Sequence, residues 1–133
     1  MNIEINGKIE KIDDIYDIYL VDSWNDDYEK KVPSCYAYIN TQNNNGYWPG
    51  KTMNYIGTYG DKKLYGYLLP IKWTNNSSVP TTGTIQFMFQ SNTGANRYPP
   101  RLAAGLSYNR GANNAAVYTI GTGNTVETVT INN

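Results

Sequence analysis

The chain has 133 residues, 40% hydrophobic and 17% charged, with basic and acidic side chains in equal number. That length fits a single domain, 1–133, with one core, and the balance excludes a compositionally disordered chain. Histidine is absent and Cys35 is the only cysteine, which excludes internal disulfides, cysteine-based zinc sites and histidine-dependent nucleophile mechanisms.

In chain order, Ile3 and Ile5 alternate with polar residues and Asn6-Gly7 is a two-residue turn signal, so strands are expected at 2–5 and 8–12. The run 15–21 sets Tyr16, Ile18 and Leu20 on one wholly apolar face and predicts a core strand. Residues 22–33 read as a polar loop, and 34–40 as a strand. Thr41 to Gly50 is a turn-rich, asparagine-rich loop carrying Tyr47 and Trp48. Strands follow at 51–57 and 63–69, and Pro70 marks a strand end before the loop Asn75 to Pro80. At 84–90, Ile85, Phe87 and Phe89 share one face and predict the clearest core strand. Residues 91–101 read as a loop, 102–106 as one helical turn, and 115–120 and 125–131 as strands. Eight or nine short strands with frequent turns predict an all-β fold, an antiparallel β-sandwich in preference to a barrel.

Charge is unevenly placed along the chain. Residues 1–31 carry nine carboxylates against four lysines, a net of −5, and residues 32–133 carry a net of +5. Either the N-terminal strands fold back beside the basic remainder, or the acidic segment, Asp26 and Asp27 included, meets the basic surface of a neighbouring subunit. No lysine-arginine stripe is present, so nucleic acid is not an expected partner. No stretch approaches the roughly 20 apolar residues that cross a bilayer, and Met1 opens a charged, alternating segment, so neither membrane insertion nor a secretory leader is expected.

The remaining route to catalysis is a pair of facing carboxylates, as glycosidases use, yet the acidic residues crowd into one polar stretch. Phosphate-binding glycine motifs are missing, so no enzyme activity is expected. Asp22, Asn25, Asp26 and Asp27 offer oxygens, but their spacing is not that of an EF-hand, and neither metal nor cofactor is expected. Binding candidates are the aromatic residues near polar neighbours: Tyr47 and Trp48 in the asparagine loop, Trp24 beside Asp22 and Asn25, and Trp73, with Tyr55 and Tyr59 read first as sheet-packing rings. Such rings suit stacking on a sugar or contact with a protein neighbour.

The stretch Lys63-Leu64-Tyr65-Gly66-Tyr67-Leu68-Leu69-Pro70, a polar spacer, and then Gly83-Thr84-Ile85-Gln86-Phe87-Met88-Phe89-Gln90 resembles small immunoglobulin-like modules of bacteriophage virion proteins. The resemblance covers about a fifth of the chain, and it leaves an immunoglobulin-like or a jelly-roll-like sandwich open. It implies a non-enzymatic structural or accessory protein of a tail, baseplate, fibre or capsid surface, assembled in the host cytoplasm, with other virion proteins or copies of itself as partners. Contact with a host-surface glycan is compatible with that role; a carbohydrate-binding module or lectin is the alternative.

Overall fold

The structure, a computed structural model, describes residues 2–5, 7–11, 16–22, 33–48, 50–91, 102–111, 116–120, 126–128 and 130–132. No helix occurs among them. The strands are β1 (Asn2–Ile5), β2 (Lys8–Lys11), β3 (Ile18–Asp22), β4 (Pro33–Tyr38), β5 (Lys51–Thr52), β6 (Asn54–Tyr59), β7 (Lys62–Tyr67), β8 (Gly83–Ser91), β9 (Leu102–Arg110), β10 (Ala116–Ile120), β11 (Val126–Thr128) and β12 (Thr130–Asn132). They form a five-stranded sheet, β11-β10-β3-β7-β6, a four-stranded sheet, β5-β4-β8-β9, and a three-stranded sheet, β12-β1-β2. The β3–β10 pair is parallel, whereas the other ladders are antiparallel.

The two larger sheets close on one core. Ile18, Leu20, Tyr65, Tyr67 and Tyr118 of the five-stranded sheet pack in a single buried cluster with Cys35, Ala37, Ile85, Phe87 and Phe89 of the four-stranded sheet. The alternation at 84–90 therefore reads as expected: Ile85, Phe87 and Phe89 are fully buried while Thr84 and Gln86 face solvent. The rings of Phe87 and Phe89 meet Tyr118 edge to face, with centroids 5.2 and 6.1 Å apart. Burial pushes the pKa of the lone thiol, Cys35, upward, which keeps it protonated and unreactive.

The five-stranded sheet is covered on its second face as well. Tyr19, Val21, Leu64 and Val117 pack there with Ile3 of the three-stranded sheet. All four residues from Ile18 to Val21 are consequently fully buried. A continuous apolar run is the pattern of a strand covered on both sides, beyond the single apolar face expected from sequence.

Strand β9 corrects the helical turn expected at 102–106. The sequence Leu102-Ala103-Ala104-Gly105-Leu106 has weak strand propensity, but its backbone pairs with β8, where Phe87 faces Leu106 and Phe89 faces Ala103. Two residues, Ala104 and Gly105, thus stand opposite Met88 alone, a β-bulge that small residues accommodate. The expected strand at 125–131 divides: β11 pairs with β10, and β12 pairs with β1.

One element of the charge pattern is satisfied within the chain. Asp17 at the entry to β3 stands 3.6 Å from Arg110 at the end of β9, accepts a 2.9 Å hydrogen bond from the Leu69 amide, and leaves Arg110 to donate to the Pro80 carbonyl at 2.9 Å.

Candidate functional site

The asparagine-rich loop leaves β4 at Tyr38 and returns at Lys51. Polar side chains fold it locally. Asn40 Oδ1 accepts from the amides of Gln42 and Asn43 at 3.0 and 2.8 Å, and Asn44 Oδ1 accepts from the Gly46 amide at 3.0 Å, both being side-chain mimics of backbone turns. Its far end demands glycine at 50, where φ is +93° and a Cβ would collide with the Cys35 carbonyl oxygen.

Asn45 is the anchor. It is 3% exposed, and its backbone amide donates to the Ala37 carbonyl at 3.0 Å. Its Oδ1 accepts from the Ala37 amide at 3.0 Å, and its Nδ2 donates to the Cys35 carbonyl at 2.9 Å and to the Tyr67 hydroxyl at 2.8 Å. A buried carboxamide with each group partnered fixes one conformation, because any alternative strands polar atoms in the interior.

A second loop, 71–79, stands beside the first. It is a tight hairpin closed by the bonds Trp73 N–H to Ser77 C=O at 2.8 Å and Val79 N–H to Ile71 C=O at 2.9 Å, with Asn76 at φ +71°. Asparagines join the two loops. The Thr74 amide donates to the Asn44 carbonyl at 3.0 Å, Asn75 Nδ2 donates to Asn43 Oδ1, and Ser77 Oγ lies 2.9 Å from the same oxygen.

Between the loops lies an open cleft of about 500 Å³. Its aromatic wall is Tyr36, Tyr47 and Trp48; its polar wall is Thr41, Asn44, Thr74 and Asn75, with Gly46 also at its surface. Tyr36 steadies Trp48 through an edge contact at 5.6 Å and leans on Tyr38 at 5.3 Å. Tyr47 is 97% exposed and Trp48 44% exposed, so both rings present faces to solvent. None of these lining residues is charged. Among the described residues, no group of three or more histidine, cysteine, aspartate or glutamate side chains could hold a metal ion.

The cleft thus brings together Tyr47 and Trp48, two of the residues singled out from sequence. Trp24, Asp26 and Asp27 lie outside the described residues. Trp73 is corrected: at 2% exposure it belongs to the core, with Nε1 buried and unpartnered, so its ring offers no stacking face. Tyr59 is buried as a packing ring, while Tyr55 is half exposed with its edge against Tyr65. The sequence reading missed Tyr36, Thr74 and Asn75. The first looks like an ordinary strand residue, and the others looked like turn formers; only their approach to the first loop makes them walls of one cleft. Comparison with known proteins finds no matching family model, curated protein or solved structure.

Proposed function

We propose that this chain is a non-enzymatic recognition domain that holds a saccharide in the cleft between its two asparagine-joined loops, and that it serves on a bacteriophage virion, where the saccharide belongs to the host surface. The cleft carries the saccharide part of the reading. Exposed rings at Tyr47 and Trp48 offer apolar faces to the C–H side of a sugar, and the amides and hydroxyls opposite offer directional bonds to its oxygens. The internal bonding of both loops sets these groups in place before a ligand arrives, which reduces the ordering entropy lost on binding. The virion setting rests on the phage-module resemblance of 63–70 and 83–90.

Assembly with copies of itself or other virion proteins is the second reading, favoured by Leu68 and Ile71, which are 56% and 87% exposed on either side of Pro70. Titration of the domain against an array of immobilised oligosaccharides separates the two. Binding that Trp48→Ala weakens about tenfold or more, roughly 1.4 kcal/mol, with an unchanged circular dichroism spectrum, supports the cleft. Salt-sensitive self-association without saccharide binding would put assembly first.

A further inference from the structure

The hydrogen-bonding capacity of the cleft is unequally used. Asn44 Oδ1 accepts from the Gly46 amide and stands 3.2 Å from Thr74 Oγ1, and Asn75 Oδ1 accepts from the Ser77 amide and lies against Ser77 Oγ. Asn43 Oδ1 faces both Asn75 Nδ2 and Ser77 Oγ. A carboxamide oxygen has two lone pairs, and each of these three takes at least one bond from the protein, the single hydrogens of Ser77 and Thr74 each serving one of the two oxygens they touch. The orientations of Asn44 and Asn75 are not interchangeable, since a backbone N–H can be met by the amide oxygen and not by the NH₂ group.

The donors are left over. Asn44 Nδ2 places one hydrogen on the Thr41 carbonyl and Asn75 Nδ2 one on Asn43, which leaves a second hydrogen on each. Trp48 Nε1 donates only. A cation completes the set. Lys51 is not itself a lining residue, but its stem lies over Gly46, which is one: a Cβ built on Gly46 would stand 3.1 Å from the lysine Cε and 3.5 Å from its Nζ. Among the described residues no carboxylate pairs with this ammonium. Three spare donors beside a cation that no described carboxylate pairs complement a ligand that carries acceptor oxygens and negative charge.

We propose that the cleft takes an anionic saccharide, with a sugar ring against Trp48 and a carboxylate or phosphate oxygen on the Lys51 side, held by the spare amide hydrogens of Asn44 and Asn75. This rests on the saccharide reading above and narrows it to a charge class. The source of the anion is a uronic-type sugar acid or a glycosylated polyol phosphate, and the test separates them.

Isothermal titration calorimetry of the intact domain would use three probes: oligogalacturonate, the uncharged oligogalactoside of the same length, and glucosylated poly(glycerol phosphate). At least one anionic probe should bind about tenfold or more tightly than the neutral one, and the one that does so identifies the source. Lys51→Gln should remove most of that preference, raised salt should weaken it, and Trp48→Ala should weaken binding of the preferred probe. Both side chains are exposed, and unchanged circular dichroism would verify folding. Equal binding of neutral and anionic probes, unmoved by Lys51→Gln, overturns the anionic assignment and leaves the saccharide reading standing. Anion binding indifferent to Trp48→Ala shows a charge patch and overturns the assignment. Absence of binding to all three overturns it too, while retained binding on the wider array would preserve the saccharide reading.

Discussion

The interior between the two large sheets and the pair of loops at the cleft are both well determined, but by different physics. Phe87, Phe89 and Tyr118 are held by exclusion of water and close contact, forces that need little direction. The loops expose most of their side chains and are held by directional bonds from Asn40, Asn43, Asn44, Asn45 and Asn75. The first mechanism tolerates solvent on the outer side and gives a stable platform. The second keeps polar groups near the surface in fixed positions, which a recognition site requires.

The sharpest break in that comparison is in the core. Phe87→Ala should reduce unfolding free energy by about 3–5 kcal/mol, read by urea denaturation, because a fully buried ring leaves a cavity that its neighbours fill incompletely. A loss below about 1 kcal/mol would mean that the ring is not enclosed. Asn45→Ala should follow, at about 3 kcal/mol, since it strands the Ala37 amide and the Cys35 carbonyl in the interior at about 1–3 kcal/mol each. Its distinguishing mark is functional: faster amide hydrogen exchange in 39–48 with the sheets still protected, which a purely packing defect would not give.

Tyr67 joins the two regions, and its effect is smaller. Tyr67→Phe should cost about 1 kcal/mol at neutral pH through loss of the hydroxyl that receives Asn45 Nδ2. Burial pushes the Tyr67 phenol from the ordinary 10 up to about 12, against a partial lowering by the Asn45 bond, with Cys35 and Asp17 raising it further. A folded pKa above the unfolded one means that the native state holds the proton more tightly. Its stabilising contribution is complete below pH 10 and is lost as pH rises from 10 through 12. Denaturation midpoints across that window should fall less steeply in Tyr67→Phe than in the parent, with burial of Cys35 and Tyr118 supplying the remaining slope. Equal slopes would show that the phenol is not the buried acid inferred.

Features that depend on neighbours along the chain were legible in the order of residues alone. Alternation at Ile85, Phe87 and Phe89 marked a core strand, the turn at Asn6-Gly7 marked the first hairpin, where Gly7 sits at φ +79°, and the asparagines between Thr41 and Gly46 marked a turn-rich loop bearing Tyr47 and Trp48. Contacts between residues far apart in the chain set the rest. Pairing with β8 made a strand of Leu102–Arg110, where local propensity is weak, and the three-stranded sheet buried the second face of β3. Likewise, the approach of Thr74 and Asn75 to Asn43 and Asn44, about 30 residues earlier, turned two loops into one cleft. Periodicity and turn chemistry are local and can be read in a line of residues; sheet pairing, two-sided burial and the meeting of loops arise only when distant segments share one surface.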